Sequence, residues 1–209
     1  MTDRILSLIL SIPGLLLALS LHEFAHGFAA YKMGDNTAKY QGRLSLNPLD
    51  HLDPMGTFCL LFFRFGWAKP VPINPYNFRN RRAGIIVVSL AGPFMNFLVA
   101  LLCAFIQVIM YKYVPANDVT QFFYTIVALA IQLNIGLMCF NLIPIPPLDG
   151  SKVLLELLPY RARELFYNIE RYSSIILMVA LLTNALSPIL SKMYLITTNI
   201  IYSIVGLIF

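Results

Sequence analysis

Charge is what this sequence has least of. Only 12% of its 209 residues are Asp, Glu, Lys or Arg, while 58% are hydrophobic. Soluble domains carry about a quarter charged residues, so this chain cannot cover a water-facing surface. Disorder and a collagen-like repeat are excluded by the same balance. Cysteine is scarce too: Cys59, Cys103 and Cys139 stand far apart in apolar runs. That excludes a disulfide-stapled module and a paired-cysteine metal site, and leaves three small buried hydrophobes. No internal repeat or low-complexity segment is visible. The net charge of +5 does not call for nucleic acid, because membrane proteins reach such values through one-sided loops.

What is there instead is long charge-free windows: residues 5–21, 84–111, 119–148, 172–191 and 193–209. About 20 apolar residues cross the hydrocarbon of a bilayer. The second, third and fourth windows meet that length. The first reaches it by continuing past His22, Glu23 and His26 to Tyr31. The last is marginal, and Pro188, just ahead of it, is placed to break the final stretch into two pieces. The expectation is an all-α polytopic membrane protein with four to five transmembrane helices, forming one domain over 1–209. A cleavable leader is the alternative for the N-terminus, and the apolar pattern running on past Ser20 argues against it.

Twelve of the fifteen basic residues lie in the connections after the first and third spans. Alternate crossing puts both connections on one side, and the positive-inside rule makes that side the cytosol, with the N-terminus outside. Arg79, Arg81 and Arg82, just before a span, suit lipid headgroups. Within residues 32–83, Thr37 to Leu46 alternates loosely and predicts one or two short strands. Met55 to Gly66 is too short to span and predicts a re-entrant or interfacial piece.

Against this apolar background, His22-Glu23-Phe24-Ala25-His26 stands inside the first span. Ionisable groups there are costly unless paired or solvated, which calls for a function. Residues four apart share one helical face, so both imidazoles reach one ion while Glu23 points aside to handle a proton. Catalytic zinc takes three protein ligands and one open position. Candidates for the third are His51, Asp50, Asp53 and Asp149. Topology favours Asp149, because the third span descends in the same direction as the first and ends at a similar depth. Just before it, Pro144, Pro146 and Pro147 break the helix, and broken backbone at membrane depth is tolerated only around a cavity or inside protein. The competing role for Asp149 is to cap the helix that follows it.

HEFAH at 22–26 and NLIPIPPLDG at 141–150 together resemble the two signature motifs of the site-2 protease family, the intramembrane metalloproteases. Asn47–Gly56 (NPLDHLDPMG), Phe65–Arg79 (FGWAKPVPINPYNFR) and Ala91–Asn96 (AGPFMN) are similar to its small prokaryotic branch. The resemblance covers about residues 5–158, and the helices of 160–209 add nothing to it. It implies that His22, His26 and Asp149 hold one zinc ion, that Glu23 activates water, and that Asn141 binds the oxyanion or the substrate backbone. Asn96 is a second polar candidate facing the site, and His51 matches a family histidine for which substrate contact is one role. The implied activity is hydrolysis of peptide bonds in or near transmembrane segments, as in regulated intramembrane proteolysis at the plasma membrane. A strand at Thr37–Leu46 would hold the unwound substrate by edge pairing. The rival readings are an inactive scaffold of the same family and a small metal transporter.

Overall fold

Asn80 and Asn117 start the two central helices by the same device: each side-chain oxygen accepts the backbone N–H three residues on, from Ala83 at 3.0 Å and from Thr120 at 2.8 Å. This satisfies one of the orphan donors of a helix start. In the computed structural model, which describes residues 2–56 and 68–209, the helices are α1 (Thr2–Met33), α2 (Thr37–Tyr40), α3 (Pro48–His51) and α4 (Arg81–Tyr113). They continue with α5 (Asp118–Asn141), α6 (Asp149–Leu157), α7 (Tyr160–Glu170), α8 (Ser173–Leu182) and α9 (Ser187–Gly206). A 3-10 turn at Pro75–Asn77 precedes α4. Among the described residues, four helices (α1, α4, α5 and α9) are long and apolar enough to cross a membrane, which makes up to five spans if the bent pair α7–α8 counts as one.

The fold class is the expected one, but two of its parts differ. Thr37 to Leu46 forms no strand. Its first residues wind into α2, held by the Asp35 carboxylate on the Thr37 N–H, and Gly42 then turns the chain at φ +66°. Among the described residues there is no strand for it to pair with, only a lone bridge between Leu52 and Ala68, and an isolated strand has no stability of its own. The expected re-entrant piece at Met55–Gly66 lies mostly outside the described residues, as does Cys59.

The window 172–191 is also not one helix. α8 has 10 residues, about 15 Å, half of what a bilayer requires. It meets α7 at a bend of 70°. Asn184 then takes a left-handed φ of 55°, and Pro188 stands in the first turn of α9, where a missing N–H costs nothing. Pro188 therefore starts the last crossing helix instead of breaking it.

The core lies where α4, α5 and α9 meet, around Ala100, Ala104, Ile135, Cys139 and Ile201. α1 joins it through a close approach to α5: a Cβ on Gly14 would stand 2.8 Å from the Cα of Ala130. Small residues permit this in a bilayer, where packing rather than water exclusion holds helices together. Cys103 and Cys139 are buried and free, as expected of small hydrophobes. Leu6, Ile9, Phe94, Leu102 and Phe123 are exposed on the outer faces of these helices, in keeping with contact to lipid.

At the end of α1, the fully buried Asp35 ties the connection to the bundle. Its carboxylate accepts from the Asn74 N–H at 2.7 Å, the Asn77 side chain at 2.8 Å, and both the N–H and hydroxyl of Thr37. Burial alone would raise its pKa, but these donors more than reverse that and hold it below the ordinary carboxylate value. Its stabilising contribution is therefore complete near neutral pH and fades as pH falls below about 4 through the folded-state value. We expect thermal melts in detergent to show this acid loss, and Asp35→Asn to melt lower at pH 7 with a flatter acid limb.

Candidate metal centre

α1 continues as one helix through the HEFAH motif, so His22 and His26 stand one turn apart on the face that meets α4 and α5. Their Nε2 atoms lie 2.9 Å from each other. Asp149 Oδ2 is 3.1 Å from that of His26 and 3.3 Å from that of His22. All three side chains are buried. They form the one cluster of three or more candidate ligands among the described residues.

Each imidazole is held from behind. His26 Nδ1 donates to the Val88 carbonyl at 2.7 Å, and His22 Nδ1 lies 2.6 Å from Asn96 Oδ1. With both protons on Nδ1, two nitrogen lone pairs and a carboxylate oxygen face one another without a hydrogen among them. A cation relieves that repulsion. Tetrahedral zinc with ligands at 2.0–2.2 Å places neighbouring donors roughly 3.3 Å apart, close to the observed separations, so the residues fit the group that the resemblance implies.

Asp149 does not cap α6. Leu148 occupies the cap position and no side chain closes it, which leaves the carboxylate for other partners. Its Oδ1 accepts from Lys152 Nζ at 2.9 Å, and Oδ2 turns to the histidines. The Leu142 carbonyl explains the glycine that follows: a Cβ on Gly150 would collide with it.

Beside the cluster is a cavity of about 390 Å³, whose wall includes His22, Glu23, His26, Asn141, Asp149 and Lys152. Glu23 Oε2 accepts the backbone N–H of Val71 at 2.9 Å. The segment at 70–73 brings that donor across the site, and Pro70 and Pro72 on either side of Val71 have no N–H to offer. Asn141 lines the cavity with its amide donating to the Leu137 carbonyl at 3.1 Å.

The remaining expected site residues lie elsewhere. Asn96 is fully buried behind His22 and is not on the cavity wall, so the structure pairs it with His22 Nδ1 where the resemblance has it facing the site. His51 is also buried and off the cavity wall, with Nε2 on the Ser45 carbonyl at 2.8 Å. Asp53 accepts the Gly56 N–H at 2.7 Å. Sequence reading missed Val71 and Lys152. Lys152, one helical turn after Asp149, was detectable by its spacing; Val71 was not.

The chain belongs to peptidase family M50, the family of the site-2 proteases, and the described helices make it a multi-pass membrane protein. The family's sequence model matches residues 108–184, a stretch that holds Asn141 and Asp149 but not the histidines. The chain is 41% identical over 175 residues to a Bacillus subtilis protein provisionally named zinc metalloprotease YwhC, covering 81% of this chain and 78% of that one. It is 33% identical over 185 residues to the provisionally named zinc metalloprotease Rip2 of Mycolicibacterium smegmatis, covering 86% and 69%. No solved structure matches it.

Proposed function

We propose that this chain is a zinc-dependent endopeptidase that cleaves transmembrane proteins in or near their membrane segments, as in regulated intramembrane proteolysis. The observation that carries the reading is the convergence of three buried ligand atoms, His22 Nε2, His26 Nε2 and Asp149 Oδ2, beside a cavity that Glu23 also lines. The two provisional names of the relatives are in keeping with it.

His22, His26 and Asp149 would hold the ion, with Lys152 engaging the second carboxylate oxygen so that one oxygen faces inward. Bound zinc supplies Lewis acidity, bringing a water pKa toward neutrality and polarising the scissile carbonyl. Glu23, kept in place by the Val71 N–H, takes the water proton and delivers it to the leaving amide nitrogen. Asn141 swings its amide from the Leu137 carbonyl to donate to the tetrahedral oxyanion. A helical substrate hides its peptide bonds, so it must unwind before its carbonyl enters the cavity. The strand first expected to receive it is absent; Pro70, Val71 and Ile73 line the cavity instead, with the Val71 N–H on Glu23.

The distribution of Lys and Arg supports a plasma-membrane orientation with the N-terminus outside and the site toward the cytosol. Purified protein is expected to carry about one zinc per chain and to cleave a transmembrane peptide in detergent. Stripping with a chelator should stop cleavage, and added zinc should restore it. A metal-free preparation that still cleaves would overturn the reading.

A further inference from the structure

α4 presents Val88, Gly92 and Asn96 at intervals of four residues, hence on one face, and that face holds both imidazoles. The Val88 carbonyl accepts the hydrogen bond of His26 Nδ1, and Asn96 Oδ1 lies 2.6 Å from His22 Nδ1. An asparagine can offer a neighbour either its oxygen or its NH₂, and which one it offers decides the imidazole tautomer.

Here the choice is made one residue further away. The amide nitrogen of Asn96 lies 3.1 Å from the Ala18 carbonyl, which can only accept, and 3.0 Å from Asn134 Oδ1. Asn134 in turn directs its own NH₂ to the Ala130 carbonyl at 2.8 Å, again a pure acceptor. Both asparagines are fully buried, and neither lines the cavity. The Ala130 carbonyl thus orients Asn134, and Asn134 with the Ala18 carbonyl orients Asn96. Asn96 is left with only its oxygen for His22.

We infer that Asn134 and Asn96 are positioning residues of the metal centre. They form a buried amide relay across α1, α4 and α5 that locks His22 in the tautomer whose Nε2 lone pair faces the metal. This rests on the metallopeptidase reading and adds a residue, Asn134, whose side chain bonds Asn96 and the Ala130 carbonyl and does not line the cavity. Outer partners of ligating histidines typically contribute 10–100-fold to metal affinity. Buried asparagines between membrane helices also act simply as glue, and the experiment must separate the two roles.

The test is zinc affinity of the full chain in detergent, measured by competition with a chromogenic chelator, alongside thermal melting of the metal-free protein. Asn96→Ala is expected to weaken zinc about 10–100-fold, and Asn134→Ala about tenfold. The double variant should bind no more weakly than Asn96→Ala alone, because Asn134 acts only through Asn96. If Asn134→Ala melts lower but binds zinc within twofold of wild type, the pair is glue and the relay is refuted. A wild type that binds no zinc would overturn the metallopeptidase reading instead.

Should the variants not fold, nitrogen-15 spectra of the zinc-loaded wild type decide the matter. The proton of His22 is expected on Nδ1, and finding it on Nε2 would overturn the relay.

Discussion

Glu23→Gln should retain zinc at the wild-type level and cleave a transmembrane substrate about 10²–10⁴-fold more slowly, the usual contribution of a general base. Glutamine has the same shape and still offers an oxygen to the Val71 N–H, so the backbone segment at 70–73 keeps its place. What it lacks is affinity for a proton. The three ligand atoms lie on other side chains and are untouched. Asp149→Ala is the contrasting variant: it removes the proposed third ligand and the partner of Lys152, and should lose zinc together with activity. Zinc content and cleavage rate, measured on the same preparations, separate the two. A Glu23→Gln enzyme within tenfold of wild type would show that the proton is taken elsewhere.

Gly92→Ala is the second large effect, and it involves no chemical group at all. A Cβ at Gly92 would stand 2.6 Å from His22 Cε1, 2.7 Å from its Nε2, and against His26 Nε2. Such contacts are closer than real methyl carbons tolerate, so both rings must move away from α4. Moving reacting groups by about 1 Å costs on the order of 10²-fold in rate. We expect at least that loss, with zinc weakened as well, while the helical circular dichroism stays intact. Gly136→Ala is the control, because its Cβ would meet nothing within 4 Å and its activity should stay unchanged. Equal activities for the two variants would show that the rings have room that the packing denies them.

Much of this was legible without coordinates, and the reason is locality. A charge-free window of 20 residues reports the solvent directly, and the spacing of His22 and His26 reports a shared face directly. Both depend only on neighbours within a few turns. Asp149 was legible because alternating crossings set its depth, and the prolines before it exclude an unbroken helix. The failures were local readings that long-range partners overrode. Thr37–Leu46 alternates as a strand does, but Asp35, held by Asn74 and Asn77 some forty residues away, winds its start into a turn. The window 172–191 has the composition of a span, yet the chain turns at Asn184 and restarts at Pro188.

By itself, then, the sequence determined the solvent, the crossing helices α1, α4 and α5, the two histidines on one helical turn, and the glutamate beside them. The tertiary structure alone decided that Asp149 turns one oxygen to the histidines and the other to Lys152, that Val71 holds Glu23, and that Asn96 stands behind His22. The physical reason is that helical periodicity is a property of neighbours, whereas the register between packed helices is not. His22 and Asn96 are 74 residues apart, and His26 and Val88 are 62 apart. Nothing within either helix says which turn of one will meet which turn of the other until small residues such as Gly14 and Gly92 let them close.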